Sequence, residues 1–192
     1  MKPATAPRPA AAPATRPAAP AGPAVSGSTL MKKHLVSLYV SNKFGVLNRV
    51  ALVFARRGFN IDSLVVSEAY DPNFSHMNIV ASGDERTIVH IIKQLNKLVD
   101  IVHATDNTDK DVIQRELALV KVRCPPEKRT EVLDVVHTFK GQVVDLAEEA
   151  LTVQVTGNSE KVDALHRMLG RYGVIEMVRT GKVIVARGME VT

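Results

Sequence analysis

One order of hydrophobic patterns runs through this chain twice. Leu35-Val36-Ser37-Leu38-Tyr39-Val40 is followed about 82 residues later by Leu117-Ala118-Leu119-Val120-Lys121-Val122, and Gly58 stands at nearly the same interval before Gly141. Such repetition restricts the chain to two similar units, each with its own apolar core. Duplication and convergence on a common order both account for it.

In the first unit, residues 35–40 form a β-branched, apolar run suited to a buried strand. Val46, Leu47, Val50, Val53 and Phe54 recur at spacings of three and four, which predicts a helix, and Gly58 after Arg56-Arg57 closes it. Residues 61–70 and 74–82 alternate as two strands, joined into a hairpin by Asp71-Pro72-Asn73. Asp84 caps a second helix carrying Ile88, Ile91, Ile92, Leu95 and Leu98, and 99–104 makes another short strand. The order βαββαβ predicts a four-stranded antiparallel sheet with both helices on one face. Its other face is left bare, which predicts pairing with another chain or a second domain.

Beyond the polar stretch 105–114 the order repeats, with strands over 116–123, 143–146, 151–155 and 175–179, helices over 131–139 and 159–171, and an extra strand over 183–186. The fold class is therefore α+β, two ferredoxin-like βαββαβ units in tandem. The expected organisation is an extension over 1–32, a first domain over 33–107, a linker over 108–114 and a second domain over 115–189. The extension is almost wholly Ala and Pro in its first 30 residues and is expected to be disordered or polyproline-like. Its prolines interrupt the apolar stretch a signal peptide needs, and an organelle transit peptide would carry more Ser and Arg.

With 192 residues and 45% of them hydrophobic, the chain has material for two small cores. A single cysteine, Cys124, excludes a disulfide framework and a Cys-cluster metal site. Apolar runs such as 50–55 fall far short of the roughly 18 residues a membrane span requires. The net charge of +5 includes Lys2, Arg8 and Arg16 of the extension, and without those three only +2 remains. Aromatic content is 4% with no Trp, so platforms for stacking bases are scarce. Nucleic acid and membrane are both poor partners for such a chain.

Catalytic groups do not cluster in the sequence. His34, His76, His90, His103, His137 and His166 never take the i, i+4 spacing of a helical zinc site, and packing or surface roles are expected for them. Cys124 before Pro125-Pro126 reads as a small half-buried residue, and Glu148-Glu149 as solvated charge. No P-loop, GxGxxG turn or nucleophile elbow is present.

The segment that carries chemistry is Asn42-Lys43-Phe44-Gly45-Val46-Leu47, where a strand ends, a glycine lets the backbone approach a ligand and a helix begins. Free N–H groups at a helix N-terminus suit a carboxylate. A glycine needed for the turn and an Asn holding its own backbone would also explain this segment taken alone. Asn60 favours the ligand, because an amide both donates and accepts, and it is expected beside the loop after the first strand. With Asn42 opposite, the pocket would suit an α-amino acid whose aliphatic side chain rests on Val46, Leu47 and Ile61. The equivalent loop of the second unit, Arg123-Cys124-Pro125-Pro126, lacks a glycine and two N–H groups, and Asn60 is matched there by Gln142. One site, in the first unit, is expected.

The chain resembles the small regulatory subunits of acetolactate synthase, an ACT-domain family, over about 31–189. The resemblance is carried by Asn42-Lys43-Phe44-Gly45-Val46-Leu47-Asn48-Arg49-Val50, Arg57-Gly58-Phe59-Asn60-Ile61-Asp62-Ser63-Leu64, Lys93-Gln94-Leu95-Asn96-Lys97-Leu98-Val99-Asp100 and Arg115-Glu116-Leu117-Ala118-Leu119-Val120-Lys121-Val122. It implies a non-catalytic partner of a large subunit that uses thiamine diphosphate, Mg²⁺ and FAD to condense two 2-oxo acids, in branched-chain amino acid biosynthesis. It further implies activation of that subunit, feedback inhibition by valine, and ACT units paired side by side in a homodimer with valine at the pairing interface. Carried over by position, the effector residues are Asn42, Gly45 and Asn60, with Lys43, Phe44, Val46, Leu47 and Ile61 as neighbours and no metal or cofactor on this chain. The second unit is implied to serve dimerisation and large-subunit contact. A bacterial cytoplasmic setting follows, with the plastid as the alternative that the extension raises. The competing reading is a stand-alone amino-acid-binding ACT regulator of transcription, though no helix-turn-helix pattern flanks the units; a small enzyme on this scaffold is the third. Valine, isoleucine and leucine are not separated by such a pocket at the level of sequence.

Overall fold

The computed structural model describes residues 32–192, so the Ala/Pro-rich extension lies outside them except for Lys32, which opens the first strand. The first unit runs β1 (Lys32–Ser41), α1 (Val46–Ala55), β2 (Asn60–Glu68), β3 (Phe74–Gly83), α2 (Glu85–Leu95) and β4 (Ile101–Asp106). The second runs β5 (Val112–Arg123), α3 (Arg129–Thr138), β6 (Gln142–Leu146), β7 (Ala150–Gly157), α4 (Ser159–Leu169), β8 (Val174–Arg179) and β9 (Val183–Ala186). Strand orders are β2-β3-β1-β4 and β6-β7-β5-β8, antiparallel throughout, which is the tandem ferredoxin-like arrangement expected.

Each sheet is built on a central strand whose alternation sorts its side chains. Val36, Leu38 and Val40 of β1 face the helices and form a buried core with Val50 and Phe54 of α1 and Ile88, Ile91 and Leu95 of α2. Ala118, Val120 and Val122 of β5 do the same with Val132 and Val136 of α3 and Val162, Leu165 and Leu169 of α4. Cys124, expected half-buried, is fully enclosed in this second core, since the chain turns inward where its N–H donates to the Glu149 carbonyl at 2.7 Å. The repeat extends to irregularities: bulges fall at Tyr39/Val40 and Ile61/Ser63 in one sheet and at Lys121/Val122 and Val143/Asp145 in the other. Asp84 caps α2 as expected, accepting from the Thr87 N–H.

The departures from the sequence expectation include two boundaries and one glycine correspondence. The polar stretch does not run to 114, because Val112–Arg115 of β5 pair with β9 and so belong to a strand that reaches beyond its own sheet. What remains of the linker is tied to β1: Asn107 N–H donates to the Leu35 carbonyl at 2.7 Å, its amide donates to the buried Ser37 hydroxyl at 2.6 Å, and Leu35 N–H donates to Thr108 Oγ1 at 3.0 Å. The fourth strand starts at Ile101 rather than 99, since the Ile101 N–H is still engaged by the Leu98 carbonyl behind α2. Gly58, in the left-handed region at φ 71, is matched in the second unit not by Gly141 but by Lys140 at φ 51. Gly141 serves packing instead, with Val136 and Val153 close enough that a Cβ would meet each at 3.1 Å.

The bare face of the first sheet is covered in part by the other unit, through a small buried cluster of Leu35, Val80 and Ile184 backed by Val112. Farther along that face, Tyr39 stacks on Phe74 at 4.9 Å between centroids, with His76 at 4.9 Å and His103 at 5.8 Å. Burial, with His103 adding repulsion, lowers the His76 pKa from its ordinary 6.5.

Lys140→Gly should raise stability by about 1 kcal/mol, because a side chain in the left-handed region is strained, while Gly58→Ala should lower it by a similar amount; paired urea titrations measure both. The unfolded chain takes up a proton at His76 more readily than the folded one. That residue's contribution is therefore complete above pH 6.5 and is lost as pH falls from there through its lowered folded value. Melting curves across that window should flatten in His76→Phe.

Candidate functional site

The loop after β1 is pinned to both neighbouring connections. Ser41 N–H donates to the Asp100 carbonyl and Asn42 N–H to the Asn73 carbonyl, each at 2.7 Å, and the Asn42 amide donates to the Pro72 carbonyl at 3.1 Å. The side chain of Asn42 is thus spent on holding the hairpin turn, and its Oδ1 is the atom left to a ligand. Gly45 is the N-cap of α1, at φ 77 and ψ 0, with no side-chain cap and no acidic residue in the first turn. Asp84 and Asn158 cap α2 and α4 with their own side chains, so α1 differs in leaving its positive end to whatever approaches.

The apolar neighbours divide. Phe44 is fully exposed and Leu47 projects from the surface, whereas Val46 is buried in the first core and Ile61 packs against it. Val46 therefore supports the loop from beneath and offers a ligand only backbone. Lys43 is exposed beside Phe44.

Asn60 does not lie across from Asn42 within one chain. It pairs with Ser82, which pairs with Lys33 near the start of β1, while the loop follows Ser41 at the strand's other end. Eight residues of β1 separate the two levels, about 26 Å of extended strand. The physical reason is the βα connection: α1 carries the chain back along the sheet before β2 begins, and β3 then intervenes between β2 and β1.

Two charged residues join the site that the sequence had not singled out. The Asp62 carboxylate accepts from Asn60 Nδ2 at 2.7 Å and from Ser82 Oγ at 2.5 Å, with Lys33 Nζ at 3.8 Å. The Ser82 bond above all, then Asn60 and Lys33, hold its pKa below the usual carboxylate range against the opposing effect of burial. Arg49 binds Asp100 through Nη2 at 2.6 Å, and its Nη1 is 3.4 Å from where a Cβ on Gly45 would sit. The glycine is therefore required by its φ, and the guanidinium lies within ordinary contact distance of it. Arg49 and Asp62 stand inside recognisable motifs, but a lone charge on a helix or edge strand has no pattern. Only its partners distinguish it.

In the second unit, the matching loop turns into a 3-10 helix over Pro126–Lys128 with Glu127 in its first turn, and Pro125 and Pro126 carry no N–H there. Gln142 opens β6 as Asn60 opens β2. Among the described residues there is no group of three His, Cys, Asp or Glu placed to hold a metal, and no helix long and apolar enough to cross a membrane.

Comparison with known proteins covers both units. Residues 36–103 match the family described as the AHAS small subunit-like ACT domain, and 115–188 match the family described as the small subunit of acetolactate synthase. A probable acetolactate synthase small subunit of Methanothermobacter thermautotrophicus is 44% identical over 156 residues, 81% of this chain and 93% of that one. The acetolactate synthase small subunit of Aquifex aeolicus is 40% identical over 162 residues, 84% of each chain. The crystal structure of the Thermotoga maritima acetolactate synthase small subunit superposes with a TM-score of 0.74 at 40% identity, covering 82% of this chain and 98% of that one.

Proposed function

The chain belongs to the acetolactate synthase small-subunit family, and from that premise we propose that it is the regulatory, non-catalytic partner of a catalytic large subunit, which it activates and makes sensitive to valine. Thiamine diphosphate, Mg²⁺ and FAD belong to the large subunit in this reading. This chain takes only an amino acid effector, in the cytoplasm.

The observation that carries the reading is the separation of Asn60 from Gly45 to opposite ends of one sheet whose β2 edge is unpaired among the described residues. Antiparallel pairing of two β2 edges about a two-fold axis reverses one copy against the other. The Asn60 end of one copy then comes beside the 42–45 loop of its partner. Each effector site is shared, with the open amides of α1 from one chain and the Asn60 amide from the other. Phe44 and Leu47, exposed in the single chain, supply apolar cover to a branched side chain in the pair.

Residues 33–107 thus bind effector and pair, and residues 115–189 face the large subunit, joined through the Leu35, Val80 and Ile184 contact. Valine inhibits by binding more tightly to the small-subunit arrangement that does not support the active large subunit. The coupling expected is about 1 to 3 kcal/mol, a roughly 5- to 150-fold change in affinity.

Asn60→Ala removes one half of the site, and Gly45→Asp strains the turn and sets a carboxylate against the ligand's own carboxylate. Either variant, reconstituted with the large subunit, should still activate it while losing valine inhibition. Simultaneous loss of activation and inhibition would defeat the separation of the two roles. Calorimetric titration of the chain with L-valine, L-isoleucine, L-leucine and L-serine ranks the effectors.

A further inference from the structure

An amide side chain presents a donor or an acceptor to a ligand according to which of its ends is held from behind. At Asn60 the held end is the nitrogen. Its Nδ2 donates to Asp62 Oδ1 at 2.7 Å, and an ionised carboxylate only accepts, so the reversed amide would set oxygen against oxygen. Asp62 is held in turn by Ser82 Oγ at 2.5 Å and by Lys33 Nζ at 3.8 Å, contacts that favour its ionised form. The β2 bulge makes this possible. Asp62 is the extra residue between Ile61 and Ser63, and the bulge places it where both the Asn60 amide and the Ser82 hydroxyl reach it.

We infer that Asp62 is a positioning residue of the effector site, turning the Asn60 carbonyl oxygen outward so that Asn60 receives the ligand's ammonium group and leaves the carboxylate to α1 of the partner copy. This rests on the shared two-copy site above and adds the direction in which the ligand lies. The two halves have opposite polarity. Behind Asn60 stands the Asp62 carboxylate; at the other half stands the N-terminus of α1, with no side-chain cap and no acidic residue in its first turn. A zwitterion fits both halves at once. A carboxylic acid with the same carbon skeleton and no ammonium fits one and meets a bare acceptor at the other, which costs it affinity. The site therefore separates an amino acid from the 2-oxo acid or simple acid of equal size, although their side chains are the same.

The test is calorimetric titration of the full chain with L-valine and with 3-methylbutanoate, which lacks the ammonium, on wild type, Asp62→Asn, Asn60→Ala and Gly45→Asp. Wild type is expected to prefer valine. Asp62→Asn, whose amide donates as well as accepts, releases the orientation of Asn60. It should weaken valine about tenfold while leaving 3-methylbutanoate within about twofold, so the ratio of the two affinities collapses. Asn60→Ala should collapse the same ratio while leaving the Ser82–Asp62 bond in place, and it decides the ammonium assignment even where Asp62→Asn fails to fold by circular dichroism. Gly45→Asp should weaken both ligands together. A folded Asp62→Asn protein with an unchanged ratio overturns the role of Asp62 and leaves the shared site standing. An unchanged ratio in Asn60→Ala overturns the orientation. Absence of valine binding by wild type overturns this inference and the effector reading on which it depends.

Discussion

Everything in this molecule hangs on two central strands hydrogen-bonded along both edges. β1 is flanked by β3 and β4, and β5 by β7 and β8, so the backbone groups of each are satisfied within the sheet. That lets Val36, Leu38 and Val40, and likewise Ala118, Val120 and Val122, bury their side chains under paired helices without stranding a polar group. The strict alternation required for this burial fixes the opposite face of each strand as well. Leu35, Ser37 and Tyr39 are turned away from the helices and become available to the rest of the chain.

What the first sheet does with that second face gives the two units their relation. Leu35 and Val80 meet Ile184 from β9, and Val112 backs them from the early part of β5. β5 thus serves two structures, pairing with β9 over Val112–Arg115 and with its own sheet thereafter. The connection from β4 is not slack, because Asn107 and Thr108 bond to β1 and Asp109 pairs with Lys32 at 3.0 Å. Gly181 closes the join near Ser63 and Val65, where a Cβ would lie 3.1 Å from each side chain. Ser63 and Val65 of β2 thus pack directly against the segment between β8 and β9.

The two proposed half-sites differ in how they are made. At Gly45 the backbone does the work: a left-handed residue starts a helix with no cap and no acidic neighbour, leaving amides and a dipole unopposed. At Asn60 side chains do it, through a bulge that brings a carboxylate and a hydroxyl together behind one amide. The second unit shares the bulge and the strand that opens on an amide, Gln142, but fills its loop with Pro125, Pro126 and Glu127. The same scaffold thus leaves the first helix uncapped by a side chain in one copy of the repeat and starts it through two prolines in the other.

The sequence by itself determined the elements and their order, because hydrophobic period, cap residues such as Asp84 and turn residues such as Asp71-Pro72-Asn73 act within a few positions of the chain. It also singled out the 42–47 loop, rather than its counterpart at 123–126, as the candidate site, since glycine and proline carry their backbone consequences wherever they stand. Only the tertiary structure decided that Asn60 lies at the far end of the sheet from that loop, that Asp62 and Arg49 have the partners that matter, and that β5 reaches back to pair with β9. Lys140 at φ 51 holds the left-handed position that closes α3, where the Gly141 N–H donates to the Val136 carbonyl, as Gly58 does after α1. Strand order, register and a bulge set the long-range relations among these, which no local pattern encodes.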